Sequence, residues 1–233
     1  MRQIMRKVPH PVVVITAASP SSPEASASPE HTFRGMTISS FNTVALAPTP
    51  LISFNLKLPS ATYTALAAPE REGTFLAHLL VSSPAGARIA DAFARGGNRE
   101  GEVFAELATG SVAKSEGLQI FAGKGTQGAP LLAGDGVMQV LRCRLLEGKE
   151  VDVGDHKVVV AEVLGRVAHP RRRKVEEKSM GLCYADQRYR ELGEAISVGA
   201  GDEGEQIPGQ SSEEDVEMQR TMGLNVRRGD EGR

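Results

Sequence analysis

The stretch GVMQVLRCRLLEGKEVDVGDHKVVVAEVLGRV, residues 136–167, limits what this chain can fold into more than any other. Residues 137–146 and 157–167 are the clearest strand patterns in the chain. They flank the polar EGKEVDVGDH and together read as a long antiparallel pair with an elaborated connection. Other strand patterns are shorter. Residues 12–17 form a continuously apolar, β-branched run, as a buried strand does. Strands follow at about 35–44, 51–56 and 75–81, and the prolines of ALAPTP exclude a central strand between the first two of these. In 51–56, Ile52, Phe54 and Leu56 share one face while Leu51, Ser53 and Asn55 share the other.

Helices are few. LPSATYTALAA (58–68) places Ser60 at an N-cap, and SSPAGARIADAFA (82–94) offers Ser83 as N-cap with Pro84 at the first helical position. The glycine-rich 95–130 shows only a weak helix near 103–108. Short strands punctuated by Gly and Pro favour a closed antiparallel barrel over an open parallel sheet, so the expected class is mainly β with short helices. The ordered domain is expected over residues 1–193. Residues 17–31, rich in Ser, Pro and Ala, read as a flexible loop insertion, and the acidic, Gly-rich 194–233 reads as a disordered tail.

Composition removes several classes. A net charge of -2 is unlike the basic balance of a nucleic-acid binder. No apolar run approaches the roughly 20 residues that span a bilayer. Cys143 and Cys183 stand far apart with no CxxC, which excludes a disulfide scaffold and the usual zinc spacings and suits a reducing compartment. A cytoplasmic location is expected. The basic start, with Glu24 as the first acid, leaves a mitochondrial presequence as the alternative, although the strand at Val12 leaves little to cleave.

GKGTQG (123–128) matches GxGxxG literally, but Pro130 and the glycines at 134 and 136 leave no room for the helix that a dinucleotide fingerprint requires. The five histidines, His10, His31, His78, His156 and His169, form no ligand pattern, so no metal site is expected. His156 differs from the rest by its place at a turn feeding a strong strand. There it is either a polar turn-flanking residue or a side chain held where an open site can use it. No GxSxG elbow is present. RRRK (171–174), beside VEEK, reads as a solvated loop.

The load of hydroxyls on RGMTISSFNT (34–43) needs a reason. Thr37 and Ser39 project from one side of the strand, Met36 and Ile38 from the other. Asn55 lies on the polar side of the next strand, and Ser60 and Thr62 begin the helix beyond it. Uncharged donors along a strand suit the edge of a flat heterocycle, and a capped helix start suits a phosphate. The alternative is an ordinary hydroxyl-rich hairpin followed by an N-cap.

From about Met5 to Gly193 the chain resembles the flavin reductase-like family, whose fold is an FMN-binding split β-barrel. The most specific segment is RGMTISSFNTVALAPTPLISFNLKLPSATYTAL, supported by FLAHLLVSS, RIADAFA, GAPLLAGDGVMQVLRCRL, GDH (154–156) and YADQRYRELG. The resemblance implies that Met36, Thr37, Ser39, Ser40 and Phe41 line the isoalloxazine of FMN. It implies that Asn55, Leu56 and Lys57 flank the ribityl chain, and that Ser60 and Thr62 hold the phosphate. It further implies that the backbone of Ala77, His78, Leu79 and Leu80 closes the pocket. His156 would stand beside the nicotinamide of NAD(P)H as the catalytic residue, with Tyr184 and Arg188 near the cofactor or the dimer mate.

Three departures accompany it: His78 stands where the family usually has Asn, the 17–31 loop is long, and the acidic tail is extra. The implied activity is hydride transfer from NAD(P)H to flavin by a homodimer, with a partner monooxygenase as a further acceptor and neither nucleic acid nor membrane as partner. The cofactor carries the hard chemistry, so no buried acid–base pair is required. The rivals are a non-enzymatic FMN storage or assembly protein, and an oxidase of the pyridoxamine-phosphate type on a similar barrel.

Overall fold

The structure, a computed structural model, describes residues 1–19, 33–68, 72–94, 103, 104, 106, 118–123, 128–168 and 179–196. In chain order these begin with helix α1 (Arg2–Met5) and strands β1 (His10–Pro11), β2 (Val13–Ala18), β3 (Phe33–Ile38), β4 (Asn42–Ala45) and β5 (Leu51–Lys57). Helix α2 (Ala61–Leu66), β6 (Thr74–Leu80) and helix α3 (Pro84–Ala94) come next. The remainder is strand: β7 (Gln119–Gly123), β8 (Gly128–Ala133), β9 (Val137–Leu145), β10 (Val151–Val153), β11 (His156–Val167), β12 (Cys183–Ala185) and β13 (Arg188–Arg190).

The long pair forms as its pattern dictates. β9 and β11 run antiparallel from Ala161↔Leu145 to Val167↔Val140, with a bulge between Val163 and Gly165. The connection is elaborated by β10, which folds back on β11 in register Val153↔His156. Gly154 makes that tight return at φ +61, a conformation that costs glycine little.

Topology then forces curvature. The main sheet runs in the order β3-β2-β6-β9-β11-β5-β4, with β10 attached to β11. Its two edge strands, β3 and β4, are joined by residues 39–41 alone, so the sheet must curl until its edges approach. The single strand expected over 35–44 is therefore two strands on opposite edges, with the corner between them. At that corner the Asn55 N–H donates to Ser40 Oγ at 2.8 Å, and a side chain stands in for a ladder bond. The result is a mainly β fold: a curled antiparallel half-barrel with three short helices among the described residues.

Both faces of the curled sheet are covered. The inner cluster includes Ile15, Ile38, Phe54, Leu56, Phe75 and Val159, closed by Leu66 of α2. The outer cluster includes Val14, Leu76, Ile89, Phe93, Phe104 and Leu132, contributed in part by α3 and β8. This explains why residues 12–17 lack alternation: all six residues of β2 are buried, on one face or the other. Ser83 caps α3 by accepting the Gly86 N–H at 3.1 Å. The helix sits close on β3 because Gly35 has no side chain; a Cβ there would lie 2.9 Å from the Phe93 ring.

Some expectations change. Ala17 and Ala18 belong to β2 and are buried, so the loop expected from 17 starts later; residues 20–32 lie outside the described residues. The glycine-rich 95–130 contains β7 and β8, which pair antiparallel with Gly123 opposite Gly128. GKGTQG therefore spans two strands and no helix follows it; residues 124–127, like the RRRK run, lie outside the described residues. Most of the helix expected at 103–108 also lies outside them. The chain divides into two units, Met1–Leu192 and Gly193–Arg233, and only 193–196 of the second are described.

Candidate functional site

β5 supplies the backbone of the site. Its alternation sends Ile52, Phe54 and Leu56 into the inner core and leaves Asn55 and Lys57 exposed. Ser40 meets Asn55 from the corner, and its hydroxyl also lies 3.4 Å from the Asn55 carbonyl oxygen. On the other side β11 runs antiparallel, placing Val158 opposite Asn55 and His156 opposite Lys57. The Leu58 N–H donates to the Asp155 carbonyl at 2.8 Å, clamping the GDH turn to the end of β5. The chain then enters α2 through Ser60, whose Oγ accepts the Tyr63 N–H at 3.1 Å. The corner, the exposed face of β5, the turn and the helix cap thus follow one another along one edge.

Charge concentrates at the turn. The Asp155 carboxylate accepts from His156 Nδ1 at 2.6 Å and faces Lys57 Nζ at 3.6 Å. The bond from His156 holds the Asp155 carboxyl below the usual carboxylate range, and the Lys57 ammonium adds to the effect. A second cluster lies one residue on. Lys157 Nζ sits 2.6 Å from Asp152 Oδ1 and 5.4 Å from the centre of the Tyr63 ring, while the Tyr63 hydroxyl donates to Glu150 Oε2 at 2.9 Å. Burial, then the bond to Glu150, pushes the Tyr63 phenol up. This cluster ties α2 to the β10–β11 hairpin and steadies the turn from behind.

Not every expected residue reaches this edge. Thr37 donates its hydroxyl to the Ala90 carbonyl at 2.6 Å, so it fastens β3 to α3. Phe41 belongs to the inner cluster and Met36 packs against it. Leu56 and Thr62 are fully buried, and Ser60 is nearly so, its Oγ accepting the Tyr63 N–H. Ala77, His78 and Leu80 are buried as well. They lie inside on β6, a central strand whose ladder is taken up by β2 on one side and β9 on the other.

His78 has a structural task. Its Nε2 accepts the Leu132 N–H at 3.0 Å, which leaves Nδ1–H to donate to the Val14 carbonyl at 3.1 Å. The ring bridges β2 to β8. Leu79 is half-buried against the inner cluster. Tyr184 and Arg188 stand in a separate three-stranded sheet with β1, where Tyr184 pairs with His10 and stacks edge-on against Tyr189 at 5.5 Å. Sequence reasoning missed Asp155 as a side chain, although its position before His156 in GDH was the signal.

The exposed residues here are Ser39, Asn55 and Lys57, neutral polar groups followed by a cation, and the buried Ser60 caps the helix just beyond them. A curled antiparallel half-barrel carrying such an edge defines a class of small ligand-binding β proteins. The family model described as "Flavin reductase like domain" matches residues 5–193, and the chain belongs to that family. Solved structures agree on the fold. The NADH:FAD oxidoreductase SgcE6 of Streptomyces globisporus is 23% identical with a TM-score of 0.56, over 85% of this chain and 90% of that one. The flavin reductase HpaC complexed with NADP+ is 21% identical at 0.56, over 82% and 95%. BorF, the flavin reductase component of a bacterial two-component tryptophan halogenase, is 24% identical at 0.55, over 83% and 97%.

Proposed function

We propose that this protein is an FMN-binding NAD(P)H:flavin oxidoreductase on a split barrel, working as a homodimer. The observation that carries the reading is the continuous edge from Ser40 and Asn55 through Lys57 and the His156 turn to Ser60, in a chain of the flavin reductase-like family. Bound FMN supplies the two-electron chemistry, taking a hydride equivalent from NAD(P)H. The chain's own part is placement. Ser39, Ser40 and Asn55 meet the heterocycle edge, Lys57 flanks the ribityl chain, and Ser60 donates to the phosphate. His156 orients the nicotinamide at the reactive distance, where a well-placed reactant gains most of its rate. In the dimer, Tyr184 and Arg188 approach the site of the mate.

BorF, by its title, is the reductase component of a two-component halogenase, and a solved structure 20% identical is titled as a nitrilotriacetate monooxygenase component B; both support a reduced flavin that passes to a partner monooxygenase. No helix among the described residues is long and apolar enough to cross a membrane. The two free, buried thiols suit a reducing compartment, and we place the protein in the cytoplasm. The test is an absorbance titration with FMN and with FAD, followed by NADH and then NADPH. Micromolar FMN binding (about -8 kcal/mol) and steady NAD(P)H oxidation are expected. Binding without oxidation would favour the storage reading, and no binding of either flavin would end the proposal. Ultracentrifugation at dilute concentration should show a dimer; a monomer that binds FMN fully would remove that part.

A further inference from the structure

We propose that His78 is an acid-released clasp. Its neutral ring holds the β7–β8 hairpin on the curled sheet, and a proton taken from solvent at Nε2 lets the hairpin go. The reason lies in how β8 is attached. It pairs with β7 in a separate two-stranded sheet, and among the described residues no ladder joins it to the main sheet. Side chains from the outer face of the main sheet meet its backbone instead. Thr16 of β2 donates its hydroxyl to the Pro130 carbonyl at 2.7 Å, and His78 of β6 accepts the Leu132 N–H on Nε2 at 3.0 Å.

The two bonds differ in their response to pH. A hydroxyl donating to a carbonyl is indifferent to mild acid, whereas an imidazole acceptor is not. The ring is fixed at both nitrogens, because an N–H only donates and a carbonyl only accepts. Leu132 therefore requires the lone pair on Nε2, and the Val14 carbonyl, 3.1 Å from Nδ1, requires the proton there. A second proton, on Nε2, would set two N–H groups against each other and leave a cation in a fully buried site. Once the hairpin lifts, the ring meets water and takes that proton near the ordinary histidine value of about 6.5. The open form alone gains it, so opening is favoured as pH falls below that value and is unaffected above it.

The surrounding charges are few. β2, β6 and β8 carry no other titratable side chain. β9 brings Arg142, exposed opposite Leu76 on the same face, and a cation there opposes a second one on the ring. α3 brings Arg88 and Asp91 from outside its buried stripe, and Glu106 is exposed two residues beyond the buried Phe104. The phenols of Tyr184 and Tyr189 reach the margin of the outer cluster. Charges with access to water are screened, whereas the Leu132 N–H touches Nε2 directly and sets the state of the ring.

The test is amide hydrogen exchange by NMR on the full 15N-labelled chain at about pH 7.5 and about pH 5, expressed as protection over the intrinsic rate at each pH. Protection at Leu132 should fall roughly 30-fold, the proton binding that the open form gains about 1.5 units below its own pKa. The amides of β7 should fall with it, while those of β5 and β11 hold. His78→Gln keeps a neutral acceptor within reach of Leu132 and should show no such fall. If that variant does not fold, 15N-histidine spectra of the wild type decide alone. One imidazole should stay neutral, with its proton on Nδ1, at the pH where exposed histidines have charged. Unchanged protection at Leu132, an equal fall in the Gln variant, or histidines that all charge together near pH 6.5 overturns the clasp. An equal fall across β5 and β11 overturns it as well, because acid would then act on the whole fold.

Discussion

A hydroxyl on a strand either closes a gap in the backbone network or meets a ligand, and the residues of 36–43 divide between the two. Thr37 and Ser40 bond to Ala90 and Asn55, while Ser39 remains exposed. His156, half-exposed and braced by Asp155, is the residue on which we propose that the activity turns. His156→Ala should slow NADH-dependent flavin reduction on the order of 100-fold while FMN affinity holds, as misplacement by about 1 Å does. Stopped-flow reduction at saturating FMN measures this, and an unchanged rate would return His156 to a plain turn residue. Ser60→Ala should lower stability by about 1 kcal/mol through the lost cap. It should also weaken FMN more than riboflavin, because a hydrogen bond to a charged phosphate contributes roughly 1.5–3 kcal/mol. Equal loss for both flavins would leave Ser60 a cap and nothing more. At Cys143, burial pushes the thiol up to about 12. Since the thiolate is the reactive form, a thiol reagent at about pH 8 should label neither cysteine until the chain is unfolded. Rapid native labelling of Cys143 would mean that the inner core opens.

Elements act through how closely they approach. Helix α3 carries Ala90 and Phe93 onto β3, and Gly35 is the space that lets it in. Gly35→Ala should therefore destabilise the fold by roughly 1–3 kcal/mol, the cost of overpacking a filled interior. Denaturant unfolding followed by circular dichroism is the measurement, and a neutral result would show that α3 shifts without strain. The site should suffer along with it, because β3 leads directly into the corner at Ser40. The β10–β11 hairpin is governed the same way. Lys157 and Tyr63 hold it against α2, so His156 inherits its position from contacts on the opposite face of its own strand.

At the scale of the whole molecule, the unit Met1–Leu192 contains both hydrophobic clusters and every residue of the candidate site. A chain ending at residue 193 should fold and bind FMN as the full chain does, because 194–233 has no apolar face to dock. Calorimetry with FMN on the two chains is the comparison. Loss of folding or binding on truncation would place the domain boundary elsewhere. The same unit holds the small sheet of β1, β12 and β13, tied to the start of the chain by the Arg6–Asp186 ion pair at 3.1 Å. That pair is exposed and adds little stability.

What the sequence determined by itself was local. The pairing of 137–146 with 157–167, the caps at Ser60 and Ser83, and the inward face of β5 were legible because each depends on periodicity or a bond within a few residues. The family motifs were legible for the same reason. Tertiary structure alone decided where polar side chains end. The His78 side chain is a buried bridge between β2 and β8, because a sheet covered on both faces leaves the side chains of its central strand no surface. Thr62 went inward with α2. The corner at 39–41 was hidden inside an apparently continuous strand, since only the meeting of two sheet edges makes a bend there. Lys57, Asp155 and His156 became one cluster through strand register, which joins residues far apart in the chain and leaves no mark on the sequence near either.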